Sequence, residues 1–103
     1  MRHRSSRQSV FLGCLLSAAF LLGCASAPVQ EMSDARQAVR AAQDAGAATK
    51  APQTFAQAQD ALSRAESLLN KRFYNSARKS AEEAHSKGIA ALEQSRAAQV
   101  QQK

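Results

Sequence analysis

From Met32 onward, small and apolar residues return every three or four positions. Met32, Ala35, Val39 and Ala42 share one helical face. Ser33 is placed to cap, with Asp34 in the electropositive first turn, so the pattern predicts a helix over residues 33–45. Gly46 suits the left-handed position that ends a helix, and residues 46–51, "GAATKA", read as a loop. Pro52 opens the next element. Phe55, Ala58, Leu62, Ala65 and Leu69 then step by three and four, predicting a helix over 52–69. Polar residues 70–72 interrupt the pattern, with Lys71 and Arg72 facing the negative dipole end. Phe73, Ala77, Ala81, Ala84, Gly88 and Ala91 form a third face, with Ile89 and Leu92 beside it, for a helix over about 74–99. No segment alternates with the period of two that a strand requires. The expected class is all-α: a short antiparallel helical hairpin or three-helix arrangement over residues 33–99, with residues 100–103 as a frayed tail.

Upstream, the pattern changes. Residues 1–9, "MRHRSSRQS", carry three arginines and no acid, and residues 10–22 form a thirteen-residue run without charge. A basic stretch followed by about 7–15 apolar residues has the layout of an export signal. Thirteen helical residues rise roughly 20 Å, short of the ~30 Å hydrocarbon core, so a permanent membrane span is the weaker reading. The run ends in Leu21-Leu22-Gly23-Cys24. This resembles a bacterial lipobox, in which the cysteine sulfur receives a diacylglyceryl group, a peptidase cuts before it and the new amine is acylated. The resemblance implies a signal peptide over residues 1–23, cleavage between Gly23 and Cys24, and a lipid-anchored tether over residues 24–32. The eight residues after Cys24, 25–32, reach at most about 28 Å. Cys14 also follows a glycine, but too little apolar chain precedes it for membrane insertion, so it leaves with the signal. In the lipoproteins this resembles, an aspartate next to the lipid-bearing cysteine favours inner-membrane retention in a Gram-negative cell, and Ala25 there is compatible with transfer to the periplasmic face of the outer membrane.

Composition changes the picture twice. The whole chain has a net charge of +6. Residues 24–103 contain 11 Lys and Arg against 8 Asp and Glu, a net of +3, so the case for a nucleic-acid binder loses half its charge. The same 80 residues contain 21 alanines and only twelve residues among Val, Leu, Ile, Met, Phe and Tyr. Alanine supports helix locally but buries little area, so a thin, modestly stable bundle is expected. Phe55, Leu62, Leu69, Phe73 and Tyr74 are the expected core, with Leu69→Ala or Phe73→Ala the most damaging single changes.

Several motifs together resemble small alanine-rich bacterial envelope lipoproteins that carry a helical domain of unknown function. These are Ala35-Arg36-Gln37-Ala38, Ala45-Gly46-Ala47, Ala51-Pro52, and the helix motif Tyr-x-x-Ala-Arg-x-x-Ala-x-x-Ala at residues 74–84. The resemblance implies an envelope protein and no established activity. A weaker likeness, to the major murein lipoprotein, rests on the lipobox, the alanine-rich helix and the terminal Lys103, and implies joining of Lys103 to peptidoglycan. That family is an uninterrupted rod, whereas Gly46, Pro52 and the break at Asn70 interrupt this chain.

No catalytic constellation is visible. Glu82 and Glu83 are adjacent and point to different sides of a helix. Ser76 or Ser80 with His85 lacks an acid partner and an oxyanion loop. No cysteine pair has metal-ligand spacing, so neither metal nor cofactor is expected. Asp60 with Arg64 and Arg78 with Glu82 stand at i,i+4, the spacing of helix-surface pairs. Lys71, Arg72, Arg78 and Lys79 form a basic patch suited to an anionic lipid or murein surface. The leading expectation is a non-enzymatic, lipid-anchored helical protein that touches the membrane through lipid on Cys24 and binds another envelope protein or peptidoglycan. A murein-linked spacer is the alternative, and a basic nucleic-acid-binding protein the third.

Overall fold

The computed structural model describes residues 26–102. Four helices follow one another: α1 (Val29–Asp44), α2 (Ala47–Lys50), α3 (Pro52–Asn70) and α4 (Tyr74–Gln101). Among the described residues there is no strand. α4 is the central element and packs along both α1 and α3, whereas α1 and α3 meet each other far less. Cross-helix neighbours set the directions. Glu31 reaches Arg78 and Ala38 lies against Gly88, so α1 and α4 run parallel. Arg64 reaches Glu83 while Ala58 shares a cluster with Ala91, so α3 runs antiparallel to α4. The long helices are therefore up, down and up.

α1 begins four residues before the expected start. Pro28, with φ −77°, precedes the first turn, and the N–H of Met32 donates to the Pro28 carbonyl at 2.9 Å. Val29 to Met32 are helix rather than tether. Ser33 lies inside the helix, where its hydroxyl accepts from Gln37 Nε2 at 3.3 Å and caps nothing. Glu31 occupies the first turn, where a carboxylate favours the helix dipole. Pro28 itself is fully buried, so the chain is already packed against the bundle before α1 starts.

The expected loop after α1 contains a single helical turn. Gly46 takes φ +81°, and its carbonyl accepts from the N–H groups of Thr49 and Lys50 at 3.1 and 3.0 Å. Lys50 Nζ returns to the Ala45 carbonyl at 3.3 Å, satisfying an orphan acceptor at the end of α1. Ala47 and Ala51 are buried by this fold-back. α4 continues to Gln101, two residues past the expected end, because nothing after Gly88 breaks it.

Of the fifteen buried hydrophobic residues, twelve are alanine, so the helices meet through backbone and methyl groups rather than through large side chains. The seam on α4 steps by four and three through Ala77, Ala81, Ala84, Gly88, Ala91 and Ser95, all buried. Gly88 marks the closest approach. A Cβ built there would stand 2.9 Å from the Ala38 backbone carbon and its Cβ, a distance real Cβ contacts essentially never show. Two clusters fill the interior. Nearer α2 lie Val39, Ala42, Ala47, Ala51, Phe55, Ala58 and Ala91; nearer the α3–α4 turn lie Met32, Ala35, Ala61, Ala65, Ala81 and Ala84. Leu62 packs against both and Leu69 against the second, each half-buried.

Phe73 departs from the expected core. It is 57% exposed. It precedes α4 with φ −85° and ψ 73°, outside the helix, so its side chain does not continue the Ala77 face. Tyr74 is half-buried. Phe55 and Met32, 5% and 1% exposed, are the large side chains that fill the two clusters.

Candidate functional site

The chain enters the bundle at the end formed by the α3–α4 turn, and Arg78 organises that end. Its Nε donates to Glu31 Oε1 at 3.2 Å, its Nη1 to Asn75 Oδ1 at 3.4 Å and its Nη2 to the Ser26 carbonyl at 3.1 Å. One guanidinium thus ties α4 to the first turn of α1 and to the incoming chain. Its rigid fork of donors suits three separate acceptors better than an ammonium would. Arg78 is therefore a clamp, and the expected basic patch loses it as a free cation.

The other expected surface pairs are rearranged in the same way. Arg64 Nη1 lies 3.1 Å from Glu83 Oε2 on α4, not beside Asp60. Arg36 Nε lies 3.4 Å from Glu66 Oε1 on α3. Together with Arg78 and Glu31, each of the three helix interfaces carries one Arg–Glu pair among the described residues. The Arg36 and Arg64 pairs are about half exposed and add little stability each, but they favour this helix register over slipped ones.

Lys71, Arg72 and Phe73 form the turn itself. The N–H of Phe73 donates to the Leu68 carbonyl at 2.9 Å and that of Arg72 to the Leu69 carbonyl at 3.0 Å. This pair of bonds is the Schellman closure of a helix C-terminus, whose left-handed position is usually glycine. Here it is Arg72, with φ +64°. All three side chains are exposed, and neither Lys71 nor Arg72 joins an ion pair among the described residues. Lys79, also exposed, sits farther along α4.

The remaining expected positions are not assembled into chemistry. Glu83 is engaged by Arg64. Ser80 is buried in the α4 seam, while Ser76 and His85 are exposed. His85 lines a shallow groove with Asp34, Gln37, Ala38, Ala41 and Ile89. A second shallow groove lies between Ala51, Pro52, Gln53 and Thr54 and Gln94. Among the described residues, no group of three His, Cys, Asp or Glu side chains could hold a metal ion. No helix among them is long and apolar enough to cross a membrane. Gly23, Cys24, Cys14 and Lys103 lie outside the described residues.

Sequence reasoning missed the grouping of Ser26, Pro28, Glu31 and Asn75 around Arg78. A proline followed three positions later by an acid is a recognisable helix start, and it is present at Pro28 and Glu31.

A family model described as a domain of unknown function (DUF4398) matches residues 30–103. No curated protein and no solved structure matches the chain.

Proposed function

The chain belongs to that family, and on this premise we propose that it is a lipid-anchored, non-catalytic protein of the bacterial cell envelope. The observation that carries the reading is the leader: arginines, then the uncharged run over residues 10–22, then Leu21-Leu22-Gly23-Cys24. Lipid on Cys24 makes that residue the first of the mature chain, and Ala25 after it is compatible with a place on the periplasmic face of the outer membrane. The bundle that follows has a packed alanine core, shallow grooves and arginines spent on cross-helix pairs. Such a body suits a spacer or a binding partner for another envelope component better than a site for chemistry. Labelled palmitate enters the wild-type chain and is lost in Cys24→Ala; incorporation that persists in Cys24→Ala overturns the anchor.

A second reading, joining of Lys103 to peptidoglycan, draws on the direction of α4. The helix carries the chain away from the end where Ser26 is fixed, over 28 residues or about 42 Å. Recovery of the C-terminus linked to muropeptide after muramidase digestion supports it. Complete release by detergent alone overturns it.

A further inference from the structure

The end of the bundle where the chain enters leaves one aromatic ring and two cations exposed. Ser26 is bound by Arg78 and Pro28 is fully buried, so the chain is fixed against the bundle from these residues on. Cys24 stands two residues before Ser26, a reach of at most about 7 Å. The eight-residue tether expected from sequence is thus cut to a short leash. At this same end Phe73 is 57% exposed, the largest hydrophobic side chain that the bundle leaves open to solvent among the described residues. It follows directly after two exposed cations, Lys71 and Arg72. Arg72 takes a left-handed φ of +64°, where glycine would sit without strain. A basic residue occupies the one position of the turn that folding alone would give to glycine.

We propose that the Lys71-Arg72-Phe73 turn seats the bundle on an anionic phospholipid bilayer, with the Phe73 ring in the headgroup region and Lys71 and Arg72 on lipid phosphates. This rests on the reading that Cys24 carries lipid. One aromatic ring and two cations bind a bilayer weakly by themselves. The leash changes that, because it holds the turn beside the surface at a high effective concentration. A cation beside the phosphate layer and an aromatic ring at the interface are matched to the two depths they would occupy. The bundle then stands on the membrane by its α3–α4 end, with α4 directed away from the surface.

The chain contains no tryptophan, so a single introduced indole reports on one place. Full-length Phe73→Trp protein, extracted from membranes, is reconstituted into phosphatidylethanolamine and phosphatidylglycerol vesicles with brominated acyl chains. Val100→Trp, at the exposed far end of α4, is the control. Quenched and blue-shifted emission from position 73, with neither change at position 100, is the expected result. Replacing Lys71 and Arg72 by Gln lowers the ratio of seated to unseated protein by about thirtyfold, roughly fivefold per charge. Arg72→Gly raises the thermal midpoint while lowering seating, an opposition of signs that a purely structural role would not produce. Palmitate labelling and flotation with the vesicles are measured on the same samples. Unquenched emission at position 73 in a chain that carries palmitate and floats overturns the seat and leaves the anchor intact. A chain that neither carries palmitate nor floats overturns the anchor and the seat with it. Equal quenching in phosphatidylcholine vesicles overturns the anionic headgroup assignment. A blue shift in native envelopes without quenching in vesicles assigns the turn to a protein partner and overturns the seat.

Discussion

The two ends of the bundle are closed by different chemistry. At the α2 end, closure is almost entirely backbone: Gly46 turns the chain, a four-residue helix folds back, and buried Ala47 and Ala51 fill the gap. At the α3–α4 end, closure depends on a side chain, with Arg78 holding Glu31, Asn75 and the Ser26 carbonyl. The first end needs only small residues and one glycine. The second places specific polar groups around the point where the chain enters and leaves an aromatic ring and two cations outside. The difference separates what folding requires from what it does not explain. Nothing in packing calls for Phe73 to be exposed or for a basic residue, rather than glycine, at the left-handed position of the turn.

The largest expected effects test whether the two core clusters carry equal weight. Phe55→Ala should cost about 3–5 kcal/mol and Met32→Ala about 2–5 kcal/mol, measured by urea unfolding followed through helical circular dichroism. With so few large buried side chains, either change should leave only a marginally folded bundle. A Met32→Ala variant of unaltered stability would mean that the α3–α4 end is held by its polar clamp alone.

Next comes the contact between α1 and α4. Gly88→Ala gains about 1 kcal/mol of helix propensity but forces a methyl into the Ala38 backbone, an overpacking of about 1–3 kcal/mol. A net loss of stability is expected, partly restored by adding Ala38→Gly. Additive effects in that double-mutant cycle would deny the contact.

Arg78→Ala should cost about 1–2 kcal/mol, since it frees Glu31 and the incoming chain together. Amide exchange should quicken over the first turn of α1, while Arg64→Ala, which removes a half-exposed pair, should leave that region unchanged. Smallest of all, Phe73→Ala should shift stability by less than about 0.5 kcal/mol, because the ring is mostly outside. A loss comparable to Phe55→Ala would return Phe73 to the core and erase the distinction between the two ends.

Much of the architecture is legible in the spacing of alanines. The faces at Ala35–Val39–Ala42, Phe55–Ala58–Ala65 and Ala77–Ala84–Ala91 appear in sequence and line the interior. Gly46 and Pro52 punctuate the chain where local geometry needs them. The α1 start was hidden because Ser33-Asp34 is a good capping pair, yet burial of Met32 and Pro28 extends the helix past it. Ion pairing was hidden for a different reason. An i,i+4 partner can be read along one helix, but Glu31, Glu66 and Glu83 become partners only once three helices share a register. Phe73 misled because periodicity continues through a left-handed turn on paper, whereas the backbone does not. The basic string at residues 71–72 was readable, and the withdrawal of Arg78 from it was not.

Because three long helices fold up, down and up, the first and last of them point the same way. Tension applied between Ser26 and Gln101 would therefore load α1 against α4 along their length. Parallel helices pulled from opposite ends must slide as a whole, breaking the Arg78–Glu31 clamp and the Ala38–Gly88 contact together rather than one after another. The arrangement gives a small, alanine-packed body greater resistance along its long axis than its modest core would suggest, and far less against forces that peel α3 away.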